Sequence, residues 1–349
     1  MNDTFLKACR GEKTEYTPIW IMRQAGRYLP QYQKVRGKVD FLTLCKTPEL
    51  AAEVTIQPID ILKVDAAILF SDILIPVEAM GMDLEFHEKK GPVLSPALRD
   101  EGTVKKLSVP DPEDKMKFVM DTIRLLRKEL AGRVPLIGFS GAPFTTATYM
   151  IEGSTSKNFL NTKRMIFQSP DLYRSLMDKI TATVTEYLKA QIKAGAQAVQ
   201  LFDTWGGIFS PQDFRDYALS YVKKVITELK TWQHSEKIPP VPIIYFVGET
   251  AGLLEEIKTS GADVHGIDWR INLDDAIKRI GSNAIVQGNL DPIALFLPQN
   301  KIEQRVKDIL GRASSAQGHI FNLGHGVLPE TPPDNVIALV EMVHNYSRK

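Results

Sequence analysis

Only two cysteines, Cys9 and Cys45, occur in the 349 residues of this chain. That excludes a disulfide framework, and the thiols are expected to be unpaired in a reducing compartment. Long apolar runs are missing as well, and none approaches the roughly 18 residues that a membrane helix needs. The first seven residues lack the basic-then-apolar layout of a secretion signal, so a cytoplasmic enzyme is the expected class. Net charge is nearly absent, with 43 basic residues against 42 acidic ones. Such a balance gives no reason to expect a nucleic-acid or membrane partner.

Several motifs with a mechanism are missing too. The chain holds no G-x-x-x-x-G-K-[ST] phosphate loop, no G-x-G-x-x-G dinucleotide fingerprint and no G-x-S-x-G nucleophile elbow. It has no C-x-x-C or H-E-x-x-H pair, and its six histidines are dispersed at 87, 234, 265, 319, 325 and 344. No metal site is therefore expected.

What is present is an alternation of short apolar runs with longer helical patterns. Candidate strands cover residues 18–22, 65–70, 135–139, 198–202, 242–247, 263–267, 284–287 and 319–323. Several are too apolar to alternate, as expected of strands buried on both faces of a parallel sheet. The sixth and seventh carry the weakest signal. Ser169-Pro170, Ser210-Pro211 and Asp111-Pro112 each place a capping residue before a proline at a first helical position. The helices they open are expected to end near Gly195, Thr231 and Gly132, and Gly261, Gly281 and Gly311 mark later helix ends. Residues 81–110 resemble a hairpin excursion around Lys89-Lys90-Gly91, and residues 141–169 hold one or two short helices. Eight βα units favour a single-domain (β/α)8 barrel spanning residues 1–349, with an open doubly wound sheet as the alternative.

In such barrels the site lies where strands end. Arg23 and Arg27 follow the first candidate strand. Residues 18–39 hold five basic side chains and no acidic one. Unpaired arginine needs an anion, and its planar fork fits carboxylate or phosphate. Ordinary surface ion pairs are the plainer reading. Asp72 follows the second strand and precedes Ile73-Leu74-Ile75-Pro76. It either caps the next helix or is a carboxylate that something must stabilise in apolar surroundings. Ser140, Tyr149, Thr204, Glu249, Asp268, Arg270, Asn289 and His325 fall near later strand ends. Tyr149 could equally be a core tyrosine, Ser140 and Thr204 helix caps. The glycines around His325 leave room for a ligand or serve a tight turn.

The strings PIWIMRQAGRYLP (18–30), FSDIL (70–74), GFSGAPFT (138–145), TYMIEG (148–153) and NLGHGV (322–327) closely resemble the uroporphyrinogen decarboxylase family, in order and at compatible spacing. The resemblance implies a distorted (β/α)8 TIM barrel with one deep cleft, usually as a homodimer, without metal or organic cofactor. It implies conversion of the four acetate side chains of uroporphyrinogen III to methyl groups, with four CO2 released, in haem biosynthesis. It assigns Arg23 and Arg27 to the substrate's carboxylates and Gln24, Ala25 and Gly26 to the same binding segment. Asp72 would face the pyrrole nitrogens, with Tyr149, Thr204 and His325 as further contacts. Thr204 stands where other members carry serine, and its hydroxyl is expected to serve equally. The catalytic proton donor is not assigned, although Arg23 or Arg27 could orient it.

Two other readings are considered. A cobamide-dependent methyltransferase of similar barrel would need zinc held by His and Cys, and Cys9 and Cys45 stand near the start of the chain. A tetrapyrrole carrier would bind without turnover.

Overall fold

The structure is a computed structural model that describes residues 2–87, 91–281 and 283–349. Seven strands form a parallel sheet: β1 (Ala67–Ile68), β4 (Leu136–Gly141), β5 (Ala198–Asp203), β6 (Ile243–Val247), β7 (Val264–Gly266), β8 (Ile285–Gln287) and β9 (Gly318–Ile320). A separate antiparallel hairpin pairs β2 (Asp83–His87) with β3 (Gly91–Ser95). This is the excursion expected in residues 81–110. Lys89 and Lys90, placed in its turn by the sequence reading, lie outside the described residues.

The two ends of the seven-stranded sheet meet across residues 18–22. Ile19 bridges Phe321 in parallel, and the Phe321 N–H donates to the Pro18 carbonyl at 2.8 Å. On the other side the Asp65 N–H donates to the Ile19 carbonyl at 2.8 Å. The sheet therefore closes into the expected (β/α)8 barrel, and the open-sheet alternative falls. The first strand makes only this short ladder for a local reason. Pro18 has no N–H, and the Ile19 N–H goes to the Asp65 side chain at 2.8 Å rather than to a neighbouring carbonyl. The weak sixth and seventh candidates are β7 and β8, three residues each.

The barrel floor is plugged by the helix Thr4–Cys9. Its Phe5, Leu6, Ala8 and Cys9 pack with Trp20, Ile137, Ile244, Val264 and Ile320 in one buried cluster. Burying each large apolar side chain contributes about 1.5–3 kcal/mol. Gly318 lets the plug approach, since a Cβ there would stand 2.6 Å from the Ala8 carbonyl oxygen. A polar chain crosses this interior: the Trp20 indole donates to Gln287 at 2.8 Å, and Gln287 donates to Gln200 at 3.1 Å. With its floor filled, the barrel is accessible from the ends where strands finish.

Helices cover the outside through two large apolar clusters. The helix Pro170–Ala194 ends at Gly195 as expected, but Ser169 caps it through its backbone carbonyl, not its hydroxyl. Ser210 does cap through its side chain. The expected single helix after it is Pro211–Phe214, a wider π-type turn Arg215–Leu219, and Ser220–Ser235. The Asp111-Pro112 start gives Pro112–Lys115, a break at Met116, and Lys117–Leu130. Gly261 and Gly281 end helices. Gly311 does not: it lies inside Gln299–Arg312, outside the left-handed region that would stop a helix. Cys9 and Cys45 are both free and buried. Among the described residues no helix is long and apolar enough to cross a membrane.

Candidate active site

Arg23 begins the loop after the first barrel segment with φ of +65°, and its side chain is exposed. Gly26 makes the turn possible, because a Cβ there would stand 2.8 Å from the Arg23 carbonyl oxygen. Gln24 faces inward. Its buried amide donates to the Ala66 carbonyl at 3.1 Å and accepts the Ile21 N–H at 3.1 Å, so its side chain braces the loop. Ala25 and Gly26 are half-buried and Arg27 is exposed. Among the described residues, no ion pair or hydrogen bond engages the guanidinium of Arg23 or Arg27. The plainer reading of both as surface ion pairs therefore fails.

Asp72 follows β1. One of its carboxyl oxygens accepts the Leu74 N–H at 2.8 Å in a local turn, but Leu74 and not Asp72 is the N-cap of the helix Ile75–Ala79, which has no side-chain cap, so the capping reading fails. Burial pushes this carboxyl up to about 6, against the pull of the Leu74 N–H and the Arg23 charge. Tyr149, in the helix Pro143–Glu152, packs its ring 6.3 Å from that of Trp205. Burial raises its phenol, and the charges of Asp72 and Arg23 both reach it. His325 makes edge-on ring contacts with Phe246 and Trp269, at 6.2 and 6.4 Å between centroids. Burial lowers its imidazole to about 4, helped by Arg23 and Arg270. Arg23 thus acts electrostatically on Asp72, Tyr149 and His325, which come from three different strand ends. The charge of Arg27 reaches Tyr32 instead, where burial and Arg36 outweigh it.

Thr204 is half-buried in the loop after β5, and its carbonyl lies against Gly248, where a Cβ would stand 2.3 Å away. The other arginine near the mouth is already engaged. Arg270 donates to Asp268 at 2.7 Å and lies 4.1 Å from the Trp269 ring centroid. Asp268 also accepts the N–H groups of Glu249 and Arg270, and Asn289 donates to backbone carbonyls of this loop. These residues build the wall. Ser140 is buried and bonds to the Gly141 carbonyl. The glycines beside His325 make room for the protein's own atoms. A Cβ on Gly324 would meet the Trp269 backbone nitrogen at 2.4 Å, and one on Gly326 the Arg23 stem at 2.4 Å.

Two residues visible at strand ends in the sequence, Asn322 in the NLGHGV string and Asp203 just after the fourth candidate strand, prove to be supports whose partners only the structure shows. Asn322 accepts the Met22 and Leu323 N–H groups at 3.0 and 2.8 Å. Asp203, fully buried, accepts the hydroxyls of Thr145 and Tyr245 at 2.6 and 2.8 Å. Burial pushes it up to about 6, with both hydroxyls opposing. Thr145 in turn takes the Trp205 N–H at 3.1 Å. A buried strand-end Asp and an Asn beside a Gly-rich loop were visible signals, but their partners were not.

Among the described residues no group of three His, Cys, Asp or Glu side chains could hold a metal ion. Cys9 belongs to the floor plug and Cys45 to the helix Phe41–Lys46. The zinc-dependent reading thus finds no ligand set there.

Residues 1–346 match the sequence profile of the family described as "Uroporphyrinogen decarboxylase (URO-D)". The chain is 55% identical to the uroporphyrinogen decarboxylase of Geobacter sulfurreducens and 56% identical to that of Desulfotalea psychrophila, each over the whole of both chains. It is 52% identical to that of Carboxydothermus hydrogenoformans, over 99% of this chain and 97% of the relative. Among solved structures it resembles a methyltransferase from Methanosarcina mazei, with TM-score 0.80 and 20% identity over 99% of this chain and 98% of that one. A B12-independent methionine synthase from Shewanella is more distant, with TM-score 0.59 and 11% identity over 95% of each chain. At such identities these structures speak to the fold alone.

Proposed function

The chain belongs to the uroporphyrinogen decarboxylase family, and from that premise we propose how its cleft performs the reaction. It is a carboxy-lyase of haem biosynthesis that turns the four acetate side chains of uroporphyrinogen III into methyl groups. Loss of CO2 from an acetate leaves an electron pair that needs a sink. Protonation of the attached pyrrole makes the sink within the substrate. The pair of the breaking C–CO2 bond flows into the cationic ring, the exocyclic carbon then takes a proton, and the ring gives one back. Each CO2 released consumes one proton overall.

In this reading Arg23 and Arg27 hold substrate carboxylates by charge-assisted bonds, and the backbone of Gln24, Ala25 and Gly26 lines the same edge. Asp72 accepts pyrrole N–H groups with the oxygen that Leu74 leaves open. As a carboxylate it favours the ring cation. Tyr149, Thr204 and His325 supply neutral polar contacts, and at neutral pH His325 adds no charge. The observation that carries the reading is Arg23: an arginine without an ion-pair partner, acting on a carboxyl pushed up to about 6. A substrate with eight carboxylates meets that need.

The finer points are part of the same proposal. Residues 1–349 act as one domain, the protein works in the cytoplasm as a homodimer, and turnover requires no metal or organic cofactor. Purified protein, treated with chelator and incubated with uroporphyrinogen under reducing conditions, should yield coproporphyrinogen. Substrate bound without product would favour the carrier reading. Product that appears only after metal is restored would overturn cofactor independence.

A further inference from the structure

Arg23 is held from two sides by the loop after β9. The preceding residue, Met22, gives its N–H to the buried Asn322 side chain at 3.0 Å and takes the Val327 N–H on its carbonyl at 2.9 Å. Both main-chain groups of Met22 are thus committed to one neighbouring loop. Arg23 then turns with φ of +65°, and its side chain lies over Gly326. A Cβ on Gly326 would stand 2.4 Å from Arg23 Cδ, 2.8 Å from Cγ and 2.9 Å from Nε. The stem occupies the space that any side chain at 326 would need.

Gly324 offers the contrast. There a Cβ would meet the Trp269 nitrogen at 2.4 Å and the Asp268 carbonyl carbon at 2.9 Å. Those are main-chain atoms of a wall that cannot give way. At Gly326 the obstructing atoms belong to a flexible side chain, and Gly326 is not in the left-handed region. Its backbone accepts alanine, and what moves is Arg23.

We propose that Gly326 is a positioning residue for substrate recognition: its bare Cα is the seat that aims the Arg23 guanidinium toward the group formed by Asp72, Tyr149 and His325. The proposal rests on Arg23 being a substrate arginine. The charge of that one cation reaches three groups from separate strand ends, behind the effect of burial at each, and a flexible stem left free would average over several positions. The seat and the Met22 clamp restrict it before substrate arrives, which lowers the ordering cost of binding.

The test is a cycle of Gly326→Ala, Arg23→Met and the double variant. Arg23→Met keeps an apolar stem and removes the charge. Gly326→Ala should melt within about 2 °C of the parent, since no main-chain contact is disturbed. Its kcat/KM should fall about 10- to 100-fold, mostly through KM, as expected when one charge-assisted bond is misplaced. Arg23→Met should lose at least as much, and adding Gly326→Ala to it should cost nothing further. The His325 imidazole, followed by NMR, should titrate higher in both single variants, because Arg23 helps to hold it down.

Full kcat/KM in Gly326→Ala, while Arg23→Met is impaired, overturns the seat and leaves the substrate arginine standing. Full kcat/KM in Arg23→Met overturns the substrate arginine and the seat with it. An equal further loss on adding Gly326→Ala to Arg23→Met shows that Gly326 acts through something else. A Gly326→Ala protein that fails to fold also overturns the proposal, which requires the arginine to yield and not the barrel.

Discussion

Leu74 donates its N–H to one carboxyl oxygen of Asp72 at 2.8 Å, so one oxygen serves the local turn, and among the described residues no hydrogen bond engages the other. The turn contact and the charge can be separated by substitution. Asp72→Asn retains an oxygen for the Leu74 N–H and removes the charge, whereas Asp72→Ala removes both.

Turnover should therefore fall by at least about 100-fold in both variants, the loss typical of a removed charge-stabilising group. Only Asp72→Ala should also lose stability, by about 1–3 kcal/mol for the orphaned N–H. Steady-state coproporphyrinogen formation and urea unfolding read the two effects. Tyr149→Phe and His325→Asn should each cost less turnover than Asp72→Asn. An Asp72→Asn enzyme with parental kcat would rule out the carboxylate's role.

The pH dependence follows from the same residue. Burial pushes the Asp72 carboxyl up to about 6, so it is ionised at neutral pH and protonated below that value. The kcat/KM of the free enzyme should fall about tenfold per unit as pH drops below 6. His325, lowered to about 4, stays neutral through this window and adds no limb. Arg23 favours the ionised form of Asp72, so Arg23→Met should move the limb to higher pH. A limb that stays in place, or moves lower, would detach it from Asp72.

Thr145 holds a small relay in place. Its hydroxyl donates to Asp203 at 2.6 Å and accepts the Trp205 N–H at 3.1 Å, and Trp205 packs on Tyr149. Thr145→Val should destabilise the protein by about 2 kcal/mol, because a buried carboxylate and a backbone N–H both lose a partner. Thr145→Ser should recover most of it, and KM should follow the same order as the wall loosens. Equal stability of the valine and serine variants in urea would show that the relay contributes nothing.

Asp65 joins the first barrel segment to the helix Pro333–Ser347, which carries His344. It accepts the Ile19 N–H at 2.8 Å, the Tyr16 hydroxyl at 2.8 Å and His344 Nε2 at 2.7 Å. Asp65→Ala strands several buried or half-buried donors and should cost about 3–5 kcal/mol. His344→Ala leaves Asp65 its other donors and should cost about 1 kcal/mol. Both are measured by chemical denaturation. The reverse ranking would place the stabilisation in the His344 contact alone.

Much of this architecture could be read along the chain, because local physics wrote it there. Continuous apolar runs marked strands buried on both faces, and Ser-Pro or Asp-Pro pairs marked helix starts. Arg23 and Arg27 stood out as cations because residues 18–39 offer no acid nearby. Where the reading slipped, tertiary packing overrode a local signal. Gly311 stayed helical, Met116 broke a helix, and the Ser169 hydroxyl left its cap unmade.

The amino-acid order alone marked the eight candidate strands, the local excess of basic residues over acidic ones in residues 18–39 and the motifs of the family, since each depends on spacing and residue type. Folding decided what those residues touch. Gln24 became a buried brace, Gly326 made room for an arginine three hundred residues earlier, and Thr145 met Asp203 across two strands. Such contacts join positions far apart in the chain, and local periodicity carries no information about them. Closure of the barrel across residues 18–22 brings them together.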